Sequence, residues 1–136
     1  MNAPADDQIY DLLNRAKTIA VVGLSDKPHR ASHGVSAYMQ RNGYRIIPVN
    51  PNVSEVLGEK AYTSLEDVPE PIDLINVFRR SRFVASLVDP ALGSDALGFW
   101  SQIGVKDNHS AALLADAGLV VVQNRCLMQE HMRLML

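Results

Sequence analysis

The chain has 136 residues, of which 47% are hydrophobic and 21% charged, with 8 glycines and 7 prolines scattered along it. That length suits one packed domain, expected over residues 1–136, and the composition excludes disordered, collagen-like and low-complexity chains. Its 13 Lys+Arg against 15 Asp+Glu leave a net charge of −2, which excludes a surface built to neutralise a run of nucleic-acid phosphates, so an anionic ligand must find positive charge concentrated locally.

In chain order, a leading helix is expected within residues 1–16, from Asp6 to Ala16, with Ile9, Leu12 and Leu13 inward. Ile19 to Gly23 is an almost continuous apolar run that reads as a strand ending in glycine. His33 to Arg41 reads as a helix stopped by Asn42-Gly43, with Val35, Tyr38 and Met39 on its inner face. Arg45 to Val49 is a second strand, Lys60 to Thr63 a short edge piece, and Asp73 to Phe78 a third strand. A weaker strand follows from Gly98 to Ile103. Asn108 to Ala117 reads as a helix that Asn108 caps and Gly118 ends. Leu119 to Gln123 is the last strand, and residues 127–136 form a closing helix. Strands apolar on both faces, alternating with amphipathic helices, predict an α/β fold. It is a Rossmann-like, doubly wound, mostly parallel sheet of five to six strands with helices on both faces.

The single cysteine, Cys126, allows neither an internal disulfide nor a multi-cysteine metal site, and fits a reducing compartment. The four histidines, His29, His33, His109 and His131, lack metal-ligand spacing, so no metal is expected. The first 13 residues carry three aspartates and no base, and no apolar run reaches the ~18 residues of a membrane span. A cytoplasmic protein is expected, without a membrane or nucleic-acid partner.

In such a sheet ligands lie beyond the carboxyl ends of the strands, where the strand order reverses. After the first strand, Gly23 permits a tight turn, Ser25 and Ser32 offer hydroxyls, Lys27 and Arg30 add charge, and a helix start supplies backbone N–H groups, a set that suits phosphate. The alternative is an ordinary turn glycine with Ser32 as helix cap. Only the first glycine of a dinucleotide fingerprint is present, Asn50-Pro51 stands where a ribose-gripping acid belongs, and the phosphate-loop motif of NTPases is missing. After the second strand, Pro51 bends the chain and leaves the Asn50 amide for a neighbour or a base, or forms a plain turn. After the third, Phe78 precedes Arg79, Arg80 and Arg82; Arg79 is the better anion ligand and the other two read as solvated. Trp100 alone reads as core more readily than as a ligand platform, and Cys126 as a small buried hydrophobe.

Taken in order, Gly23-Leu24-Ser25 with Lys27-Pro28, Arg30 and Ser32, then Gly43-Tyr44, Ile47 to Pro51, Leu57-Gly58, Asp73 before Val77-Phe78-Arg79, Trp100 to Gly104, Ala117 to Leu119 and Arg125-Cys126 form a series. It resembles the single-domain CoA-binding proteins, over about residues 10–130. The same fold forms the CoA-binding domain of the succinyl-CoA synthetase α subunit and of ADP-forming acyl-CoA synthetases. The resemblance implies coenzyme A or an acyl-CoA as ligand. It implies that Gly23, Leu24, Ser25, Lys27, Arg30 and Ser32 hold its phosphates. Val49, Asn50, Pro51, Val77, Phe78 and Arg79 would border the adenosine and pantetheine path, and Trp100, Gln102 and Gly104 would close the cleft. Asn76 and Asn124 stand where the family often has aspartate, and Ser101 where an apolar residue is usual.

The leading expectation is a non-catalytic CoA-binding module, since the chain has length for neither a phosphohistidine domain nor a nucleotide-grasp partner. A small enzyme of acyl-CoA or thioester metabolism, or a dinucleotide-dependent oxidoreductase, is the competing class. A homodimer or a separate acyl-CoA enzyme are the macromolecular partners left open.

Overall fold

A computed structural model describes residues 3–136. Helix α1 (Asp6–Arg15) leads into β1 (Thr18–Val22), α2 (Ala31–Arg41) and β2 (Arg45–Val49). A small hairpin of β3 (Glu55–Val56) and β4 (Glu59–Lys60) follows, then β5 (Leu74–Val77), α3 (Val88–Gly93), β6 (Gly98–Ser101), α4 (Asn108–Asp116), β7 (Val120–Val122) and α5 (Leu127–Met135).

The main sheet has five strands in the order β2-β1-β5-β6-β7, all parallel. The chain steps outward from β1 to β2 and then returns to the other side of β1 as β5, so the order reverses between β1 and β5. That is the position where two neighbouring crossovers leave in opposite directions and open a crevice.

Each face of the sheet has its own core. Ile19, Val21, Leu74, Trp100 and Val122 pack with Ile9, Leu12 and Leu13 of α1, Val35 and Met39 of α2, and Leu127 of α5. The alternate residues Ala20, Val22, Ile75, Val77, Phe99 and Val121 pack with Val88 and Ala91 of α3 and Ala111 and Leu114 of α4. Period-two alternation sends neighbouring strand residues to opposite cores, which is why the strands are apolar on both faces. Gly98 marks the closest approach: a Cβ there would lie 2.7 Å from Leu12 Cδ2, so its small size lets α1 sit directly on the sheet.

The structure departs from the sequence expectations at several boundaries. The 60–63 segment is not a strand of the main sheet; β4 pairs with β3, and only Tyr62 bridges back to Val49. The turn between them, Leu57-Gly58, has both residues at positive φ (56° and 77°), the conformation of a two-residue hairpin turn. Asp107, not Asn108, occupies the N-cap position of α4 and accepts a hydrogen bond from Ser110 Oγ at 2.7 Å. Helix α2 starts two residues earlier than its apolar periodicity indicates, with Arg30 at the N-cap position, so Ser32 lies inside the first turn instead of capping it.

Candidate functional site

At the C-terminal end of β1 the backbone turns at Gly23, whose φ is +87° and whose N–H donates to the Val49 carbonyl at 2.8 Å. A Cβ at Gly23 would stand 3.0 Å from both the Phe78 carbonyl oxygen and Arg79 Cδ, so the β1 and β5 loops cross at a distance that glycine fits. Beyond it, the Ser25 N–H donates to Ser32 Oγ at 3.0 Å, and the Lys27 N–H donates to Ser25 Oγ at 3.1 Å. The Arg30 N–H donates to the Lys27 carbonyl, and the Arg30 carbonyl accepts from the His33 and Gly34 N–H groups. These bonds fold residues 25–32 into a compact loop. Among the described residues none accepts from the Ala31 or Ser32 N–H, the first two donors of α2.

Gly23, Ser25, Lys27, Arg30, Ala31, Ser32 and Phe78 line an open crevice of about 320 Å³. Lys27 and Arg30 are exposed, and neither forms an ion pair with a described carboxylate. Free helix N–H groups, two hydroxyls and two unpaired cations thus converge on one concavity, an arrangement that concentrates positive potential in a chain of net negative charge. A larger groove of about 550 Å³ runs beside the segment entering β5, but Glu66, Glu70 and Asp89 line it and would repel an anion.

Six of the sequence-derived residues therefore come together: Gly23, Ser25, Lys27, Arg30, Ser32 and Phe78. Arg79 borders them through its stem, and its guanidinium lies over the Phe83 ring at 4.4 Å. Leu24, Val49 and Val77 are buried, with side chains in the two cores. Asn50 is occupied: its Nδ2 donates to the Leu24 carbonyl at 3.0 Å and its Oδ1 accepts from the Asn52 N–H at 2.9 Å. It ties the β2 loop to the β1 loop through one amide hydrogen and holds its own turn through one oxygen lone pair, while Pro51 lies exposed at the turn.

The expected cleft-closing role of Trp100 does not match its placement. Its side chain is 0% exposed, and the indole N–H donates to the Arg125 carbonyl at 2.8 Å. Gln102 is likewise buried and donates through Nε2 to Asn76 Oδ1, while Gly104 is exposed with its N–H donating to Asn124 Oδ1. The two asparagines at positions where aspartate is frequent thus brace loops. Ser101 is wholly buried, and its hydroxyl has no hydrogen-bond partner among the described residues.

Sequence reasoning missed the Ala31 N–H, because that donor depends on where the helix begins, and the placement of the Arg79 and Arg82 guanidiniums over the Phe83 ring, 4.4 and 4.9 Å from its centroid. Cys126 is buried at the N-cap position of α5. The perturbed titrating groups lie elsewhere. Hydrogen bonds from Arg133 and Arg125 hold the Glu130 carboxyl below its usual range, and burial pushes His131 down. Among the described residues no three His, Cys, Asp or Glu side chains gather in a metal-holding arrangement, and no helix is long and apolar enough to cross a membrane.

An anion-attracting crevice at the switch point of a parallel doubly wound sheet defines the class of α/β proteins that bind nucleotides and phosphorylated cofactors. Within that class, residues 17–132 match the CoA binding domain family, and the chain belongs to it. YneT of Bacillus subtilis, an uncharacterized protein, is 44% identical over 131 residues, covering 96% of this chain and 97% of its own. An ADP-forming acetate–CoA ligase of Archaeoglobus fulgidus is 33% identical over 60 residues, 43% of this chain and 9% of the ligase. The solved structure of a hypothetical protein from Pyrococcus horikoshii superposes with a TM-score of 0.93 at 36% identity, covering 99% of this chain and 97% of that one.

Proposed function

We propose that this protein binds coenzyme A or an acyl-CoA in the β1–β5 crevice and performs no chemistry on it. The observation that carries this reading is the convergence of unpaired Lys27 and Arg30, the Ser25 and Ser32 hydroxyls and the free Ala31 and Ser32 N–H groups on one concavity. The site fits a phosphorylated ligand. The close crossing at Gly23 keeps side-chain bulk out of the crevice, and every charged side chain lining it is positive. Lys27, Arg30, Ser25, Ser32 and the start of α2 would hold the phosphates, with Phe78 and Arg79 beside them. Membership of the CoA binding domain family favours CoA over other nucleotides, and the absence of a ribose-gripping acid after β2 counts against NAD.

The crevice contains no acid–base pair: its titratable side chains are Lys27 and Arg30 alone. Cys126, buried and set in the β7–α5 connection, serves packing in this reading. A cytoplasmic location belongs to the same reading.

Calorimetric titration with CoA, dephospho-CoA, ATP and NAD tests it. CoA is expected to bind most tightly, and loss of the 3′-phosphate is expected to cost about 1.5–3 kcal/mol, the worth of a hydrogen bond to a charged group. Equal affinity for NAD and CoA would refute the proposal.

A further inference from the structure

The charges of this chain are segregated. The loops at the C-terminal ends of the strands (residues 23–30, 50–54, 78–84, 102–107 and 123–126) hold seven of the 13 Lys+Arg and two of the 15 Asp+Glu, so this edge is +5 and the rest of the chain −7. The crevice uses Lys27 and Arg30, with Arg79 at its border. Arg80, Arg82 and Lys106 lie beyond it, all exposed, and none of them forms an ion pair with a described carboxylate. Acidic side chains are plentiful elsewhere, and four of the other arginines use them: Arg15 pairs with Asp11, Arg45 with Glu59 and Glu70, Arg133 with Asp6 and Glu130, and Arg125 with Glu130, while exposed Arg41 forms no such pair.

These three cations sit on a braced platform. Ser81 Oγ accepts from the Lys106 N–H at 2.9 Å and donates to the Gly104 carbonyl at 3.4 Å, joining the β5 loop to the β6 loop. The Gly104 N–H donates to Asn124 Oδ1 at 2.8 Å, and the Asp107 N–H donates to Gln123 Oε1 at 2.8 Å, joining both to the β7 loop. The guanidiniums of Arg79 and Arg82 both lie on the Phe83 ring. Ile103, next to Gly104, is 62% exposed. An apolar tip set among ordered arginines has the composition of a protein interface.

We propose that this platform docks an acidic protein bearing a phosphopantetheine arm, the class to which acyl carrier proteins belong. The inference rests on the crevice being a CoA site. Arg79 adjoins both the crevice and the Phe83 stack, so a partner seated on the platform stands at the crevice mouth, where an arm sharing the pantetheine and phosphate chemistry of CoA can enter. A compact acidic surface fits better than an extended polyanion, because a nucleic acid or an anionic bilayer would run on past the platform against the rest of a chain whose remaining charge is −7.

The test is titration of the full chain with holo-acyl carrier protein, its apo form and CoA, at low and at physiological ionic strength, alongside an R80E/R82E/K106E variant and the milder R80Q/K106Q. The expected result is saturable holo-carrier binding that weakens with salt and falls at least tenfold in the triple variant and several-fold in the double one. CoA affinity should stay within twofold in both variants, which also shows that they fold. CoA binding without holo-carrier binding overturns the docking proposal and leaves the CoA site standing, whereas failure of both overturns the reading of the crevice. Carrier binding unaffected by the substitutions, tighter binding of an oligonucleotide or of phosphatidylglycerol vesicles, or salt-sensitive self-association through the same residues would each overturn it too.

Discussion

Replacing Gly23 by alanine tests the joint between fold and site. The residue sits at φ +87°, where an L side chain is strained by roughly 1–2 kcal/mol. Its new methyl would also lie 3.0 Å from the Phe78 carbonyl oxygen, a backbone atom that cannot rotate away. Forcing β1 and β5 apart to relieve that contact adds the cost of overpacking, about 1–3 kcal/mol. Gly118 is the control: its φ is +99°, and a Cβ there meets nothing within 4 Å, so Gly118→Ala carries the conformational strain without the contact. Denaturant unfolding of both variants should show Gly118→Ala destabilised by about 1–2 kcal/mol and Gly23→Ala by about 2–5 kcal/mol. Calorimetry should show CoA affinity intact in Gly118→Ala and reduced tenfold or more in Gly23→Ala, because the displaced loop carries Ser25 and Lys27. Equal destabilisation of the two variants would refute the close crossing. Undiminished affinity in Gly23→Ala would refute the claim that this crossing shapes the site.

Lys27→Ala and Arg30→Ala should each weaken CoA binding by tenfold or more while moving stability by less than about 1 kcal/mol, since both side chains are exposed and unpaired; thermal melts beside calorimetry check both halves. His131, buried against the Tyr38 and Tyr44 rings with Nδ1 hydrogen-bonded to the Tyr38 hydroxyl at 2.7 Å, has its pKa lowered by desolvation. The unfolded chain therefore takes up a proton that the folded one resists, so stability should hold above about pH 6.5 and decline as pH falls below it, with a shallower decline in His131→Gln. The Glu130 window, also from a lowered pKa, opens only further down, below the ordinary glutamate range. Ser101→Ala removes a buried hydroxyl that has no partner and should be neutral or stabilising by up to about 1 kcal/mol in denaturant unfolding. Incubation with CoA disulfide should leave the intact mass unchanged, because Cys126 is buried; rapid addition of one CoA, reversed by a reductant, would contradict the packing role.

Much of the architecture follows from local pattern. Runs such as Ile19 to Val22 and Leu74 to Val77, apolar at successive positions, can be satisfied only between two helical layers, and the glycine after β1 marks the turn where a phosphate loop belongs. Those signals need only the chemistry of neighbouring residues, so the parallel sheet and the loop containing Ser25, Lys27, Arg30 and Ser32 are legible in the sequence alone. Tertiary structure decided the rest, because it sets which partner a polar group meets. The Asn50 amide donates to the Leu24 carbonyl, 26 residues away in sequence, and the Trp100 indole to the Arg125 carbonyl, 25 residues away. The first bond joins two loops and the second joins strand β6 to the loop after β7, and no periodicity within either segment encodes the other's position. The start of α2 at Ala31 behaves likewise: Arg30 is no capping residue, so the sequence lacks the usual signal, and the turn is held by Ser32 accepting the Ser25 N–H across the loop. Strand order in turn decides what the basic residues mean, since setting β5 beside β1 brings Phe78 and Arg79 to a loop more than fifty residues earlier in the chain and makes one crevice from two separate turns.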